Sequence, residues 1–227
     1  APERTTVWRA VTLLAEALGE RPEVRVEVTA RIPEKAGLGG SSADAGAVLR
    51  ALCERWGVSV CDERVVAVAR RVGADVAFFL DPRPGLYLGA GDVLERTFPE
   101  FSMPVALVMP AVGGVSTKEA YDEFDRAGED PASYEVVCEA LAAGDVAAMA
   151  ASLFNNLAPA ACHLCGDVWA VSEWLAGQEG VAASMVTGSG ACSFAICESG
   201  DAAERIAEAA REHHGWRAWA AVAGVAE

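Results

Sequence analysis

Apolar residues recur at helical spacing at the start of the chain and then alternate with polar residues. Thr5 or Thr6 can cap a first helix, and Gly19 can end it. The alternation over Val24–Thr29 predicts a strand with one buried face. A second helical pattern runs from Ser42 to near Gly57. The apolar positions of the first helix are Val7, Ala10, Val11, Leu14, Ala17 and Leu18.

The next stretch of the chain predicts a third helix followed by a hairpin. Asp62 can cap a helix that runs through Val72 and ends at Gly73. The segments Gly85–Ala90 and Val93–Phe98 are typical of two strands joined by a tight turn at Gly91-Asp92. These elements complete a first α+β unit.

The second half of the chain begins after a polar stretch that carries a proline. Pro99–Ser102 is the predicted boundary between a first domain, residues 1–101, and a second domain, residues 102–227. The closing strand–helix–strand, together with an early strand and its helix, predicts a ferredoxin-like α+β domain. The predicted elements are strand Val105–Met109, a helix from the capping box Ser116-x-x-Glu119, helices within Pro131–Leu157 and over Asp167–Ala176, strand Ala191–Cys197, helix Ala202–His213 and strand Trp216–Val222.

Composition limits the kinds of partner. With 227 residues, 52% of them hydrophobic, the chain can build a core without disulfides or metals. Its net charge of −15 repels nucleic acid phosphates and anionic lipids, so neither nucleic acid nor a membrane is an expected partner. The apolar stretches are too short to span a bilayer and no signal peptide is recognisable, which predicts a cytoplasmic protein. Nothing in the composition indicates an oligomeric state.

Seven cysteines at irregular spacing favour free thiols in a reducing compartment. The run Cys162-His163-Leu164-Cys165 could begin a zinc site, which needs four ligands. The other histidines, His213 and His214, lie on a late predicted helix with no second cysteine pair near them. We therefore favour scattered core and surface residues over a metal site.

The first segment that carries chemistry is a glycine-rich loop before the second helix. Gly37, Gly39 and Gly40 let the backbone approach a ligand closely, and the following helix start directs N–H groups and its positive dipole end at that ligand. The loop is neither a Walker A sequence nor the spaced glycine pattern of a Rossmann turn. A phosphate cradle is favoured, with a plain glycine turn capped by serines as the alternative.

A single carboxylate, Asp75, interrupts the apolar run from Val72 to Leu80. Because an unpaired buried charge is costly, we expect Asp75 to be buried with partners, as an acid–base residue would be. A helix cap after Gly73 explains it equally well.

The last such segment is a second glycine-rich turn, Thr187-Gly188-Ser189-Gly190, which opens onto an apolar strand. Its amides could form an anion nest, although a plain hairpin turn is the commoner reason for such a sequence.

Taken together, these segments resemble the motifs of the GHMP kinases. Pro33-x-x-x-Gly37-Leu38-Gly39-Gly40-Ser41-Ser42-Ala43 is similar to the second motif of that family, and the turn at 187–190 is similar to the third. The resemblance implies the α+β GHMP kinase two-domain fold, with an S5 domain 2-like N-terminal part, a ferredoxin-like C-terminal part, and ATP with Mg²⁺ in the cleft between them. It implies that Ser42, in preference to Ser41, meets the metal. The residues implied for ATP are Gly37, Leu38, Gly39, Gly40, Ser41 and Ser42.

Within that family the chain is most similar to the diphosphocytidyl-methylerythritol kinases. The similarity lies in Ser42–Ala45, in Gly-Ala-Asp-Val-x-Phe-Phe from Gly73, in Gly114–Tyr121 and in Leu153–Pro159. It implies transfer of a phosphoryl group from ATP to the 2-hydroxyl of a cytidine diphosphate-linked polyol, in isoprenoid precursor synthesis by the non-mevalonate route. The implied roles are proton acceptance from the acceptor hydroxyl for Asp75, cover of the cytosine ring for Tyr121, and acceptor contact for Thr187, Gly188, Ser189 and Gly190.

Two other functions stay open at this point. One is a GHMP kinase that acts on homoserine or a mevalonate, and the other is a non-catalytic nucleotide-binding module. The family begins with strands that bear a lysine, whereas this sequence opens at the helix Val7–Leu18 and its only lysines, Lys35 and Lys118, lie elsewhere. We expect the chain as given to bind nucleotide weakly and to turn over little without such a segment.

Overall fold

The computed structural model describes residues 5–127 and 132–224, which divide into two compact units. Unit 1 comprises the chain up to Arg31 together with Gly39–Phe98, and unit 2 comprises Ile32–Leu38 together with the chain from Pro99 onward. The glycine-rich loop is therefore shared, its first half packing with unit 2. The division into domains 1–101 and 102–227 stays a prediction. No helix in the described part of the chain is long and apolar enough to cross a membrane.

Unit 1 is built on three helices, α1 (Thr6–Leu18), α2 (Gly40–Trp56) and α3 (Glu63–Val72). All three were predicted, and local caps explain their bounds. The Thr5 hydroxyl accepts a hydrogen bond from the Trp8 N–H, and the Asp62 carboxylate accepts one from the Arg64 N–H. Their apolar faces meet in one core, whose fully buried members include Leu14, Leu49, Val65, Val68 and Val76.

Two short 3-10 turns, Ala74–Val76 and Phe78–Leu80, follow α3 and carry Asp75. A Cβ atom on Gly46 of α2 would lie 2.4 Å from the Cβ of Phe79, so only glycine permits this close approach of α2 to the second turn. The predicted hairpin follows as antiparallel strands β1 (Gly85–Leu88) and β2 (Val93–Thr97). The segment that bears Asp75 is thus fixed against α2.

The prediction of a strand over Val24–Thr29 is wrong. This segment has no regular secondary structure, and no strand of the described residues pairs with it. Val24 packs against the core of unit 1, whereas Val26 and Val28 are 40% and 47% exposed. Alternation alone cannot form a strand, because the ladder of backbone hydrogen bonds needs a partner.

Unit 2 contains a four-stranded antiparallel sheet, ordered β4-β5-β3-β6. Since the first and third strands lie in the middle of the sheet, this is the ferredoxin-like order that the sequence predicted. On β3, Ala106 and Val108 belong to the core on one face of the sheet, and Val105 and Leu107 to the core on the other. The strands are β3 (Ser102–Met109), β4 (Val181–Val186), β5 (Ser193–Cys197) and β6 (Arg217–Gly224).

Six helices are described in unit 2. Helices α8 and α9 share a core with one face of the sheet, α5 and α6 with the other, and α4 and α7 lie against each other beside the 187–190 turn. The sequence predicted neither α7 nor β4, and Pro131, where its middle helical stretch was to begin, lies outside the described residues. The helices are α4 (Thr117–Ala127), α5 (Glu135–Ala143), α6 (Val146–Ala151), α7 (Ala158–Leu164), α8 (Gly166–Ala176) and α9 (Gly200–His214).

Candidate active site

The N-terminus of α2 lies where the glycine-rich loop enters unit 1. Gly39 is its N-cap in the left-handed region, with φ of +64°, and no side chain caps the helix. The Gly39 carbonyl accepts hydrogen bonds from the N–H groups of Ser42 and Ala43, at 3.0 and 2.9 Å. The N–H groups of Gly40 and Ser41 have no partner within residues 5–127 and 132–224. This helix end therefore offers an anion two N–H donors and a positive dipole end.

Both serines named for the metal lie in the first turn of α2. Ser41 is exposed and its carbonyl accepts a hydrogen bond from the Thr6 hydroxyl at 2.9 Å, while Ser42 is half-buried. Neither serine hydroxyl bonds to a described residue, so each can serve as an oxygen ligand. The preference for Ser42 stays a prediction.

Asp75 is exposed, and no described residue donates a hydrogen bond to its carboxylate or pairs with it. The expectation that it is buried with partners is wrong, and the alternative of a helix cap has no N–H donor to support it. The two 3-10 turns bury Val76 and Leu80 instead, which leaves the Asp75 side chain on the surface of unit 1. A carboxylate without a protein donor is free to accept a proton from a ligand, and its catalytic role stays a prediction.

In unit 2, the first half of the glycine-rich loop is bonded to the second glycine-rich turn. The Lys35 and Ala36 carbonyls accept hydrogen bonds from the N–H groups of Ala191 and Cys192, both at 3.0 Å. The Thr187 hydroxyl donates to the Gly37 carbonyl, also at 3.0 Å. Two segments that are about 150 residues apart in sequence thus form one backbone cluster.

Gly37 lies at the tightest point of this cluster, and we expect Gly37→Ala to destabilise unit 2 by roughly 2–4 kcal/mol. A Cβ atom there would lie 2.2 Å from the Thr187 carbonyl oxygen, and φ is +72°. Gly144→Ala is the matched control, because φ is +67° in the same unit and nothing lies within 4 Å of the added Cβ. It should cost only about 1 kcal/mol. Equal losses in urea unfolding of the two variants would contradict this account of the contact.

The side-chain hydroxyls of the 187–190 turn already form hydrogen bonds within the protein. Thr187 bonds to Gly37, and the buried Ser189 hydroxyl lies 3.0 Å from the hydroxyl of Thr117, the first residue of α4. By contrast, the N–H groups of Gly188 and Ser189 have no partner in the part of the chain that the structure describes. Any ligand contact of this turn is therefore expected from its backbone rather than from its hydroxyls.

Two residues that hold this turn, Thr117 and Asn155, were not predicted as site residues. Both lie in stretches that resembled the family, but their partners are distant in sequence: Ser189 for Thr117, and the Val186 and Gly188 carbonyls for Asn155. No spacing rule along the chain reveals such pairs. The Asn155 side-chain oxygen also accepts a hydrogen bond from the Leu157 N–H, at 2.9 Å.

The last of the predicted substrate-binding residues is Tyr121, which lies on α4 and is 54% exposed. Its ring is accessible for stacking, and its role stays a prediction. Of the two lysines, Lys118 pairs with Asp122 on the same helix, whereas Lys35 is exposed, has no ion pair with a described residue and adopts a left-handed φ of +56°.

Two thiols near the turn, those of Cys192 and Cys162, have raised pKa values. Burial raises the pKa of the Cys192 thiol to about 12, and burial together with the neighbouring Cys165 raises the pKa of Cys162. Within residues 5–127 and 132–224, no three His, Cys, Asp or Glu side chains are grouped closely enough to hold a metal ion.

Models of one protein family match both halves of the chain. The model of the GHMP kinase N-terminal domain matches residues 5–81, and that of the C-terminal domain matches residues 138–215. The chain is 34% identical to a 4-diphosphocytidyl-2-C-methyl-D-erythritol kinase of Desulfitobacterium hafniense, over 92% of this chain and 73% of the relative. It is 37% identical to the kinase of that name from Mycolicibacterium smegmatis, over 89% of this chain and 65% of the relative.

A solved structure of a 4-(cytidine 5'-diphospho)-2C-methyl-D-erythritol kinase superposes with a TM-score of 0.81 and 33% identity, over 99% of this chain and 80% of that chain. The chain therefore belongs to the GHMP kinases, and the family and fold predicted from its motifs are confirmed. Within that family, the relatives that it resembles are 4-diphosphocytidyl-2-C-methyl-D-erythritol kinases. It spans 65% to 73% of the length of these two curated relatives.

Proposed function

We propose that this GHMP kinase transfers a phosphoryl group from ATP to the 2-hydroxyl of 4-diphosphocytidyl-2-C-methyl-D-erythritol, in isoprenoid precursor synthesis. The observation that carries the proposal is the 34% identity to a kinase of that name over 92% of the chain. A match over 92% of the chain includes both the α2 N-terminus and the second glycine-rich turn. We place the protein in the cytoplasm.

For the nucleotide, the donors at the α2 N-terminus fit a phosphate. The Gly40 and Ser41 N–H groups carry no protein partner, and no side chain occupies the capping position. ATP would supply the phosphoryl group. We assign a Mg²⁺ ligand to the Ser42 hydroxyl, with Ser41 as the alternative, because Mg²⁺ keeps waters and phosphate oxygens and needs few protein ligands.

For the acceptor, we assign proton acceptance from the 2-hydroxyl to the exposed Asp75 carboxylate. We assign contact with an anionic oxygen to the Gly188 and Ser189 N–H groups. The side-chain hydroxyls of the same turn already bond to protein atoms. The exposed Tyr121 ring is assigned to the cytosine, which it can cover by stacking.

The test is a comparison of acceptors with the complete gene product, because the curated relatives are longer than this chain. We expect kcat/KM for 4-diphosphocytidyl-2-C-methyl-D-erythritol to exceed the values for homoserine and mevalonate by at least about 10⁴-fold, since a site built to bind a substrate's polar groups strongly rejects compounds without them. A higher value for homoserine or mevalonate would assign the enzyme to another branch of the family. Nucleotide binding without turnover of any acceptor would support the non-catalytic alternative.

A further inference from the structure

Asn155 is hydrogen-bonded to one carbonyl oxygen of the second glycine-rich turn and to that of the residue before the turn. It is half-buried between α6 and α7, and it makes three hydrogen bonds of ordinary length. Its Nδ2 donates to the carbonyl oxygens of Val186 and Gly188, both at 2.8 Å, and its Oδ1 accepts from the Leu157 N–H at 2.9 Å. One side chain therefore joins the start of α7 to the peptide units 186–187 and 188–189.

The geometry of the peptide bond gives these contacts a consequence at Ser189. The bond between Gly188 and Ser189 is trans, so its C=O and N–H point in opposite directions from one rigid plane. When Asn155 holds the Gly188 oxygen, it also directs the Ser189 N–H away from itself. That N–H has no partner among the described residues, although Ser189 is only 6% exposed.

Other hydrogen bonds hold the rest of the turn, and the Ser189 hydroxyl lies 3.0 Å from that of Thr117, but among the described residues the Gly188–Ser189 peptide unit is hydrogen-bonded through Asn155 alone. The Thr187 N–H donates to the Cys192 carbonyl, and the Gly190 N–H donates to the Thr187 carbonyl, both at 2.9 Å. In the part of the chain that the structure describes, the Gly188 carbonyl has no hydrogen-bond donor besides Asn155. Without it, the glycine on one side would let this peptide unit rotate.

We propose that Asn155 is a positioning residue for phosphoryl transfer: its amide orients the Gly188–Ser189 peptide so that the Ser189 N–H meets an anionic oxygen of the acceptor or of the transferred group. This role rests on the function proposed above. Asn155 itself touches neither substrate nor nucleotide, and it acts by holding a donor in place before the ligand arrives.

The test compares Asn155→Asp with Asn156→Asp in the complete gene product. Aspartate at 155 keeps the oxygen that accepts from Leu157 but replaces both N–H donors with a charge that faces two carbonyls. The neighbouring Asn156 uses its oxygen to accept from the Ala132 N–H at 3.1 Å, and the same substitution there keeps that acceptor and changes the net charge equally. Asn155→Ala, which removes the bonds without adding charge, replaces Asn155→Asp if the latter fails to fold.

We expect kcat/KM for the acceptor to fall about 10–100-fold in both Asn155 variants, with the KM for ATP and all values of Asn156→Asp within about twofold of the wild type. In ¹⁵N-resolved NMR spectra, the Ser189 amide signal should move in the Asn155 variants alone. An unmoved signal, an unchanged acceptor kcat/KM, or equal losses for ATP and acceptor would overturn the assignment. Absence of turnover in the wild type would instead refute the proposed function, and the Ser189 signal would then decide alone whether Asn155 orients the turn.

Discussion

Asp75→Asn is expected to lower turnover by roughly 10²–10⁴-fold, because the amide cannot accept a proton from the acceptor hydroxyl. The fold should not change. Asp75 is exposed and no described residue bonds to its carboxylate, so the substitution removes no protein contact. ATP binding should also persist, since the donors of the α2 N-terminus are untouched. In the complete gene product, steady-state kinetics measures the turnover and thermal unfolding measures the stability of the fold. Nucleotide titration measures ATP binding.

Asp81→Asn is the matched control for this variant. It makes the same chemical change six residues further on, at an exposed carboxylate that pairs with Arg83 on the surface. Because exposed ion pairs contribute about 0–1 kcal/mol, its turnover and melting temperature should stay close to those of the wild type. Near-normal turnover in Asp75→Asn, or an equal loss in both variants, would remove Asp75 from the reaction.

Gly40→Val is expected to weaken ATP binding by about 10–100-fold without lowering the melting temperature of the free protein. The branched side chain would stand over the first-turn N–H groups to which the phosphates are assigned. Gly40 is the better position for this test than Gly39. Its φ is not in the left-handed region, whereas Gly39 has φ of +64° and an added Cβ there would lie 3.3 Å from the Phe79 ring. The expected loss corresponds to about 1.4–2.8 kcal/mol.

The matched control for Gly40→Val is Ala47→Val. Ala47 is an exposed residue of the same helix, about two turns further along. The substitution adds the same branched side chain but leaves the helix end open, so ATP titration should return the wild-type affinity. If Gly40→Val bound ATP as tightly as Ala47→Val, the phosphates would have to be bound elsewhere.

The three helices of unit 1 could be predicted from the sequence because their ends depend on neighbouring residues. Thr5 caps α1 through a bond three residues away, and Gly19 and Gly57 end α1 and α2 in the left-handed conformation that glycine favours. The strand predicted at Val24–Thr29 failed for the opposite reason. A strand is stable only when a partner supplies its hydrogen bonds, and alternation of side chains does not show whether a partner exists.

The candidate site also has features that could be predicted from the sequence and features that could not. Its glycine-rich segments could be recognised because each is contiguous, and a helix N-terminus follows the first directly. The exposure of Asp75 could not be predicted, since the 3-10 turns decide which side chains of an apolar run point inward. The role of Asn155 was hidden as well, because the carbonyls it holds lie 31 and 33 residues further along the chain.

The central claim is transfer of one phosphoryl group from ATP to a cytidine diphosphate-linked polyol. The most direct test is ³¹P NMR of the complete gene product with Mg²⁺, ATP and 4-diphosphocytidyl-2-C-methyl-D-erythritol. The account predicts that ADP and a new phosphomonoester signal grow together in equal amounts while the diphosphate signals of the cytidylyl group persist. Release of inorganic phosphate without the phosphomonoester, or ATP that stays intact beside the unmodified polyol, would contradict it.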